Sequence, residues 1–490
     1  MNAVAPQVPP SRLSDSTILT RAEGLYMSRR GDRVLLIEPE SASWYVLEPA
    51  YWPIFMRIQR PIPLAHLISS FPQVRPEVVR SVVANLWYLG MLRADGRPYH
   101  DLSNLWPAPS HQGPAFLAVH IAEGCNFRCS YCYNSSMPFK GKRMPLELAH
   151  RIVDKAVTEI RSPHLTFDFI GGEPLLAFEE ILGLIRYARE QGRRHGKAVA
   201  FAVQTNGALL TEERAIQLRD LNVGVGVSID GPRELHDEYR IDLGGAGTHA
   251  KVLENLLRAR DLGLRVSPLA VIYRADSYVP VLEYFLSMGF ESMRFNYANY
   301  LGRAKYNLTF APERAEAYAT AFLQMVDRAR EHTRQSGRPL LIHDLCFMIR
   351  NVAAKKRDYM CMRSPCGLGD SIVSFSVDGN VYACEEYEEN TKGKFLLGTL
   401  EELNLGNLME VHQKLRALKQ RKVENIPKCS RCHLRYICGG GCTHKALAYF
   451  GELLREDPMC GFYMRVYEEL MWKIWDDPEL VATLGGPFPC

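Results

Sequence analysis

Eleven of the thirteen cysteines lie in two stretches, residues 125–132 and 361–460, and this clustering restricts the 490-residue chain more than any other feature. Grouped thiols in a reducing compartment act as metal ligands rather than disulfide halves, and an odd total opposes a fully paired disulfide set. Met1 to Thr20 is polar, contains Pro and Ser, and lacks the apolar core of a signal peptide, and no apolar run approaches the length that spans a bilayer. The sequence therefore predicts a cytoplasmic chain with no membrane partner. Lys and Arg number 59 against 55 for Asp and Glu, so the overall balance predicts no nucleic-acid partner either.

The first stretch reads Cys125-Asn-Phe-Arg-Cys129-Ser-Tyr-Cys132. Three thiolates within a few residues suit a cubane cluster with one iron left open for a small molecule, whereas structural and electron-carrying clusters are usually fully ligated. A zinc site completed by a fourth ligand from elsewhere is the alternative chemistry.

A chain this long exceeds one hydrophobic core and predicts two or three domains. Residues 1–95 read as a first unit, with β-patterned runs at Arg33-Glu38 and Ser43-Glu48 and helical patterns at Tyr51-Arg60, Pro63-Phe71 and Pro76-Leu89. The Pro, Gly, Ser and Asn of residues 96–114 mark a linker. Over 115–310 strand and helix alternate, with strands expected at Phe116-Ile121, Leu165-Ile170, Ala198-Gln204, Val223-Ile229, Leu264-Tyr273 and Met293-Tyr297. Six β-α steps predict an α/β fold, a parallel sheet open or curled into a partial (β/α)6 barrel, with chemistry at the C-terminal strand ends. A helical connector is expected over 311–360, a metal-held region over 361–470 and a tail over 471–490.

Four motifs fall at successive strand ends: the three-cysteine loop, Gly171-Gly172-Glu173-Pro174, Gln204-Thr205-Asn206-Gly207 and Ser228-Ile229-Asp230-Gly231-Pro232. Together they resemble the radical S-adenosylmethionine (radical SAM) enzyme family. The resemblance implies a [4Fe-4S] cluster on Cys125, Cys129 and Cys132 and S-adenosylmethionine on its open iron. Gly171 and Gly172 would let backbone approach the amino acid end of that cofactor, with Glu173 facing its ammonium. Thr205, Asn206 and Ser228 suit ribose hydroxyls and the carboxylate, Arg240 would pair with the carboxylate, and Tyr131 would lie near the adenine. The implied chemistry is reductive cleavage to a 5'-deoxyadenosyl radical that abstracts hydrogen from a substrate.

Cys366, Gly379, Cys384, Cys429-Ser-Arg-Cys432, Cys438, Cys442 and Cys460 resemble the SPASM extension of that family. It implies two auxiliary [4Fe-4S] clusters, three in all: one on Cys361, Cys366, Cys384 and Cys442, the other on Cys429, Cys432, Cys438 and Cys460. Two zinc-ribbon sites are the alternative. Cys346 reads as a buried small hydrophobe and Cys490 as a free thiol in the tail. Glu385 follows Cys384 where sulfatase-maturating relatives carry an acidic base, and Asp230, His236 and Asp237 are alternative bases.

The first unit, on Val34-Leu-Leu-Ile-Glu-Pro39, Trp44-Tyr-Val-Leu-Glu-Pro49 and Asn85-Leu-Trp-Tyr-Leu-Gly-Met-Leu92, resembles the PqqD-like, winged-helix-like peptide recognition domain. An edge strand beside an amphipathic helix would take an extended leader peptide as an added strand. Too little positive charge on Pro76-Trp87 opposes a DNA-binding winged helix. The resemblances together imply a peptide or small-protein maturase. It would make an intrapeptide crosslink, preferably a cysteine thioether, like the maturase acting on quinohemoprotein amine dehydrogenase, and a donor such as flavodoxin or ferredoxin would supply electrons. Carbon–carbon crosslinking and sulfatase-type formylglycine formation are the alternatives. A non-catalytic iron–sulfur carrier is opposed by the three-ligand loop.

Overall fold

The computed structural model describes residues 13–486 apart from 101–111, 135–136, 139–140, 298–300, 308–313, 355–356, 358 and 387–391. Cys490, the first 12 residues and much of the expected linker therefore lie outside the described residues.

In the first unit, β1 (Ile18–Arg21) pairs antiparallel with Ile62–Pro63 and Leu92–Ala94. A second sheet runs in the order β2 (Tyr26–Arg30), β3 (Arg33–Glu38), β4 (Ser43–Leu47), all antiparallel. Three helices follow: α1 (Trp52–Arg57), α2 (Leu64–Ser69) and α3 (Pro76–Tyr88). β3 is apolar at every position between its ends because both of its faces are covered. Val34 and Leu36 enter the unit's own core with Phe55, Val79 and Val83, while Leu35 and Ile37 enter the main core of the chain. β1 and β2 were not expected from the sequence, since β2 is a largely exposed edge strand without apolar alternation.

The main sheet contains β5 (Phe116–Ala122), β6 (His164–Gly171), β7 (Ala198–Thr205), β8 (Gly224–Ser228), β9 (Val266–Ile272), β10 (Ser292–Tyr297) and the short β11 (Leu341–Ile342), all parallel. All six expected barrel strands are present within two residues of their predicted ends. Amphipathic helices α4 (Leu146–Glu159), α5 (Phe178–Arg194), α6 (Glu212–Asp220), α7 (His249–Asp261) and α8 (Tyr278–Ser287) return the chain between parallel strands. The sheet then continues past its first strand: β12 (Ile372–Phe375) lies parallel to β5, followed by antiparallel β13 (Asn380–Tyr382) and β14 (Leu396–Thr399). The cysteine-rich region is thus joined to the barrel through one continuous ten-stranded sheet.

After the barrel come α9 (Ala315–Ser336) and α10 (His343–Ala353), then, beyond the cysteine-rich loops, α11 (Cys460–Asp476) and α12 (Glu479–Leu484). The expected tail over 471–490 is corrected as far as residue 486. Met471, Trp472, Ile474, Leu480 and Leu484 are core residues, so the chain has an apolar reason to stay packed. Cys346 is buried as expected, its Sγ 2.8 Å from the Gly485 carbonyl oxygen.

Burial alternates along β7 to β10, whereas β5 and β6 are buried nearly throughout. On β8 and β9, Val225, Val227, Pro268, Ala270 and Ile272 are buried, while Gly224, Gly226, Ser228, Leu269 and Val271 are partly accessible. The partly accessible face of these two strands carries Gly224, Gly226 and Ser228 beside Leu269 and Val271, so side chains cover it less completely than the buried face.

Candidate functional site

The C-terminal end of β5 leads into the Cys125–Cys132 loop. Gly171 and Gly172, at the end of β6, hold that loop against the sheet: the amides of Gly172 and Glu173 donate to the carbonyls of Ala122 (2.8 Å) and Gly124 (2.9 Å). A Cβ on Gly171 would lie 2.2 Å from the Ala122 carbonyl oxygen, and one on Gly172 2.2 Å from that of Gly124. The two glycines serve backbone-to-backbone packing here. Glu173 differs from expectation. Its carboxylate is fully buried and accepts from Leu175 N (3.0 Å), Thr205 Oγ1 (2.6 Å) and Asn206 N (2.8 Å). Glu173 and Thr205 therefore tie the ends of β6 and β7 together.

Asn206 reaches the cysteine loop, its Nδ2 2.8 Å from Asn126 Oδ1 and 3.8 Å from Cys125 Sγ. Ser228 is partly accessible at the end of β8. Asp230 is not placed as a base. Its carboxylate accepts from Arg240 Nε (2.8 Å) and Nη2 (3.1 Å), Val271 N (2.8 Å), Tyr131 Oη (2.6 Å) and Tyr273 Oη (3.1 Å). Burial alone would raise this carboxyl, but the charge and hydrogen bonds of Arg240 outweigh it and hold Asp230 below the usual carboxylate range. The pair also occupies Nε and Nη2 of the Arg240 guanidinium, expected at the cofactor carboxylate. Tyr131 packs 5.1 Å from the Tyr273 ring with Arg240 over its face. Asp237 and His236 are corrected as well. Asp237 caps α7 by accepting from His249 N (2.8 Å). His236 is fully buried between Asp230 N and Thr248 Oγ1, and burial pushes its pKa down to about 4.

The cysteines gather in three sets. Burial pushes the Cys125 thiol up to about 12, with Cys129 and Cys132 adding to the shift. Burial likewise raises Cys361, pressed by Cys366, and Cys384, pressed by Cys442 and Cys361. It raises Cys438, pressed by Cys429, Cys460 and Cys432. Thiols this close and this hard to ionise need a cation to bind as thiolates. Among the described residues no group of three ligands converges tightly enough for a single metal ion.

Near the second set, Asp168 and Arg294 are ionisable residues that sequence reasoning passed over, and they lie close to Glu385. Asp168 of β6 is buried and hydrogen-bonded to Gln204, and burial pushes its carboxyl up to about 7 against the opposing Gln204 bond and the Arg294 charge. Glu385 is pushed up to about 8 by burial and by the Asp168 and Glu386 carboxyls, with Arg294 opposing. Asp168 sits inside an apolar run, Leu165 to Ile170, and its one sequence signal is that of a polar residue in a strand buried on both faces.

An open parallel sheet with a three-cysteine loop after its first strand is the arrangement of the radical SAM fold. Residues 119–283, about a third of the chain, match the sequence model of the Radical SAM superfamily, and the fold is the radical SAM α/β fold. Enzymes of this class use S-adenosylmethionine and a [4Fe-4S] cluster. The chain is similar to a cysteine-type anaerobic sulfatase-maturating enzyme of Clostridium perfringens, 25% identical over 365 residues, which covers 72% of this chain and 95% of that one. The solved structure of anSMEcpe with bound AdoMet superposes with a TM-score of 0.65 at 24% identity, covering 76% of this chain and 98% of the other. Streptococcus suis SuiB bound to its precursor peptide SuiA superposes with a TM-score of 0.51 at 13% identity, covering 90% and 99%. These two structures share the fold. Among the described residues no helix is long and apolar enough to cross a membrane.

Proposed function

We propose that the chain is a peptide or small-protein maturase that abstracts hydrogen from a substrate residue and closes an intrapeptide crosslink, preferably a cysteine thioether. The observation that carries this reading is Glu385, beside Cys384 and Cys361 of the second cysteine set and close to Asp168 and Arg294 of the barrel strands. The thioether balance is a loss of two hydrogens: one leaves carbon as an atom, the thiol proton goes to a base, a C–S bond forms, and one electron must depart. Cys125, Cys129 and Cys132 would hold the cluster that, with bound S-adenosylmethionine, supplies the 5'-deoxyadenosyl radical. Cys361, Cys366, Cys384 and Cys442, and separately Cys429, Cys432, Cys438 and Cys460, would hold two electron-accepting clusters. Glu385 takes the proton; its place after Cys384 and beside Asp168 and Arg294 supports that role. Ser228 and Asn206 face the cofactor. The first unit, PqqD-like, receives the leader segment, and a flavodoxin or ferredoxin supplies the initiating electron.

The curated relatives that mature sulfatases favour a second reading, formylglycine formation on a sulfatase, through the same Glu385. Anaerobic incubation with S-adenosylmethionine, a reductant and each candidate partner tests both. Formation of 5'-deoxyadenosine with a loss of two hydrogens per crosslink in a Cys-containing peptide supports the first. Modification of a sulfatase alone supports the second. Absence of 5'-deoxyadenosine from fully iron-loaded protein would sink both.

A further inference from the structure

The near balance of charge over the whole chain hides a strongly basic segment. Residues 414–435 carry eight Lys and Arg and one acidic residue, whereas the chain as a whole is only +4, so the remainder is net acidic. Lys414, Arg416, Lys422, Lys428 and Arg431 of this segment are exposed. Three of them flank one small buried cluster, Val423, Ile426 and Cys429, which places Lys422, Lys428 and Arg431 around a member of the third cysteine set. The loop is fixed from beneath. Arg421 is buried and donates to the carbonyls of Gly441 (3.0 Å), Gly440 (2.8 Å) and Arg455 (2.9 Å), and short turns link Asn425 N to Lys422 O and Ser430 N to Ile426 O. Within that set Cys432, Cys438 and Cys460 are partly accessible, and Lys428 hydrogen-bonds the Cys460 sulfur. No hydrogen bond or ion pair to a described residue neutralises Lys422 or Arg431.

We infer that this basic loop is the docking surface for an acidic one-electron carrier protein, which exchanges an electron with the group held by Cys429, Cys432, Cys438 and Cys460. Lys428 pairs with Glu456 (3.6 Å), and the remaining cations, Lys422 and Arg431 foremost, steer an acidic partner and set its orientation. The coincidence of that array with partly accessible thiols selects the kind of partner. A nucleic acid or an anionic lipid surface would use the charge but has no need of the sulfurs, while an electron carrier needs both. The exchange breaks no bond: one electron leaves the carrier's reduced cofactor and reduces the cluster by one, or returns when substrate oxidation has filled it. The inference rests on the proposed cluster at the third set. Iron content and electron paramagnetic resonance of the loaded protein count the clusters before any partner is added, so failure of that premise is seen separately.

The test uses the full chain with three loaded clusters and an acidic flavodoxin as probe. Stopped-flow absorbance follows electron transfer from flavodoxin hydroquinone, and titration calorimetry follows binding of the oxidised form, each at low and high salt. The expected result is transfer that slows as salt rises. Lys422→Glu with Arg431→Glu is expected to weaken binding and slow transfer at least tenfold at low salt, Lys422→Gln with Arg431→Gln to fall between, and Lys251→Glu on α7 to change neither. Photoreduction by a small deazaflavin should proceed equally in all four. Transfer at the parent rate in the double charge reversal overturns the inference, as does salt-independent transfer in the parent. So does equal slowing with deazaflavin, or tighter binding of a DNA duplex or phosphatidylglycerol vesicles than of flavodoxin.

Discussion

Among single residues, Asp230 and Glu385 show what neighbours decide. Both are acids that follow a chemistry-bearing motif, and the sequence offered both as bases. The donors that saturate Asp230 come from positions 131, 240, 271 and 273, which only the fold brings together, so their effect was not legible in the chain. Replacing Asp230 with Ala leaves the buried Arg240 guanidinium without its carboxylate, a loss that costs about 3 to 5 kcal/mol. The urea midpoint should fall accordingly, and an unchanged midpoint would show the pair to be dispensable. Glu385→Gln makes the opposite case. It keeps the shape and removes the proton acceptor, so cleavage of S-adenosylmethionine should persist while peptide modification drops by about two orders of magnitude or more. Mass spectrometry of the peptide beside chromatography of 5'-deoxyadenosine reads both quantities. Equal loss of the two would reassign Glu385 to cofactor binding.

For whole elements, periodicity delivered the barrel strands, because each alternates or runs apolar over five or more residues between amphipathic helices. It missed β12, four residues amid irregular cysteine-rich sequence, whose membership of the sheet depends on pairing with β5 some 250 residues earlier. The glycines between β6 and the cysteine loop were visible, and the structure adds a backbone-packing role that the motif did not suggest. Gly172→Ala would force a Cβ into the Gly124 carbonyl and part the strand end from the loop. The expected result is loss of iron from the first set with the other two sets retained, read as a fall of about four irons per chain. Full iron content would contradict it. The helices at the C-terminal end hold by charge as well as by apolar contact: Arg330 of α9 donates to Asp477 (2.9 Å through Nη2) and to Glu479 (2.9 Å). The Arg330 hydrogen bonds hold the Asp477 carboxyl below its usual 3.8. A depressed folded-state value means that this stabilisation is fully present above about pH 4 and is lost as pH falls through the folded value. Asp477→Asn should therefore cost about 1 to 3 kcal/mol at neutral pH. The gap from the parent should close below pH 4 in urea titrations at stepped pH, and a gap constant with pH would exclude the ion pair as its cause.

Across the whole molecule, the first unit packs directly against the cysteine-rich end of the chain. The meander β2-β3-β4 sends Leu35, Ile37 and Val46 into the main core. Trp44 donates to the Val352 carbonyl (2.9 Å), Trp475 of α11 donates to Glu48 (3.1 Å), and Arg30 and Arg33 pair with Glu469 (2.7 Å) and Asp476 (2.6 Å) of α11. That helix begins at Cys460. On the other side, the Tyr26 ring of β2 stacks on His433 at 3.5 Å with an interplanar angle of 2°, directly after Cys432, and Glu468 hydrogen-bonds both rings' polar atoms. Two members of the third cysteine set are therefore bound to the sheet that carries the exposed edge strand. Whatever stabilises one side of such a contact stabilises the other by the same free energy. A stacked aromatic pair contributes about 0.5 to 1.5 kcal/mol, or about a two- to tenfold change in an equilibrium. Tyr26→Leu should hence speed removal of iron from the third set by a chelator by that factor, while the first set keeps its iron. Reciprocally, stripping the third set should raise amide hydrogen exchange across residues 26–47. If chelation leaves that exchange unchanged, the contact carries no coupling, and peptide arriving at β2 has no route through the Tyr26 stack to the group held by Cys429, Cys432, Cys438 and Cys460.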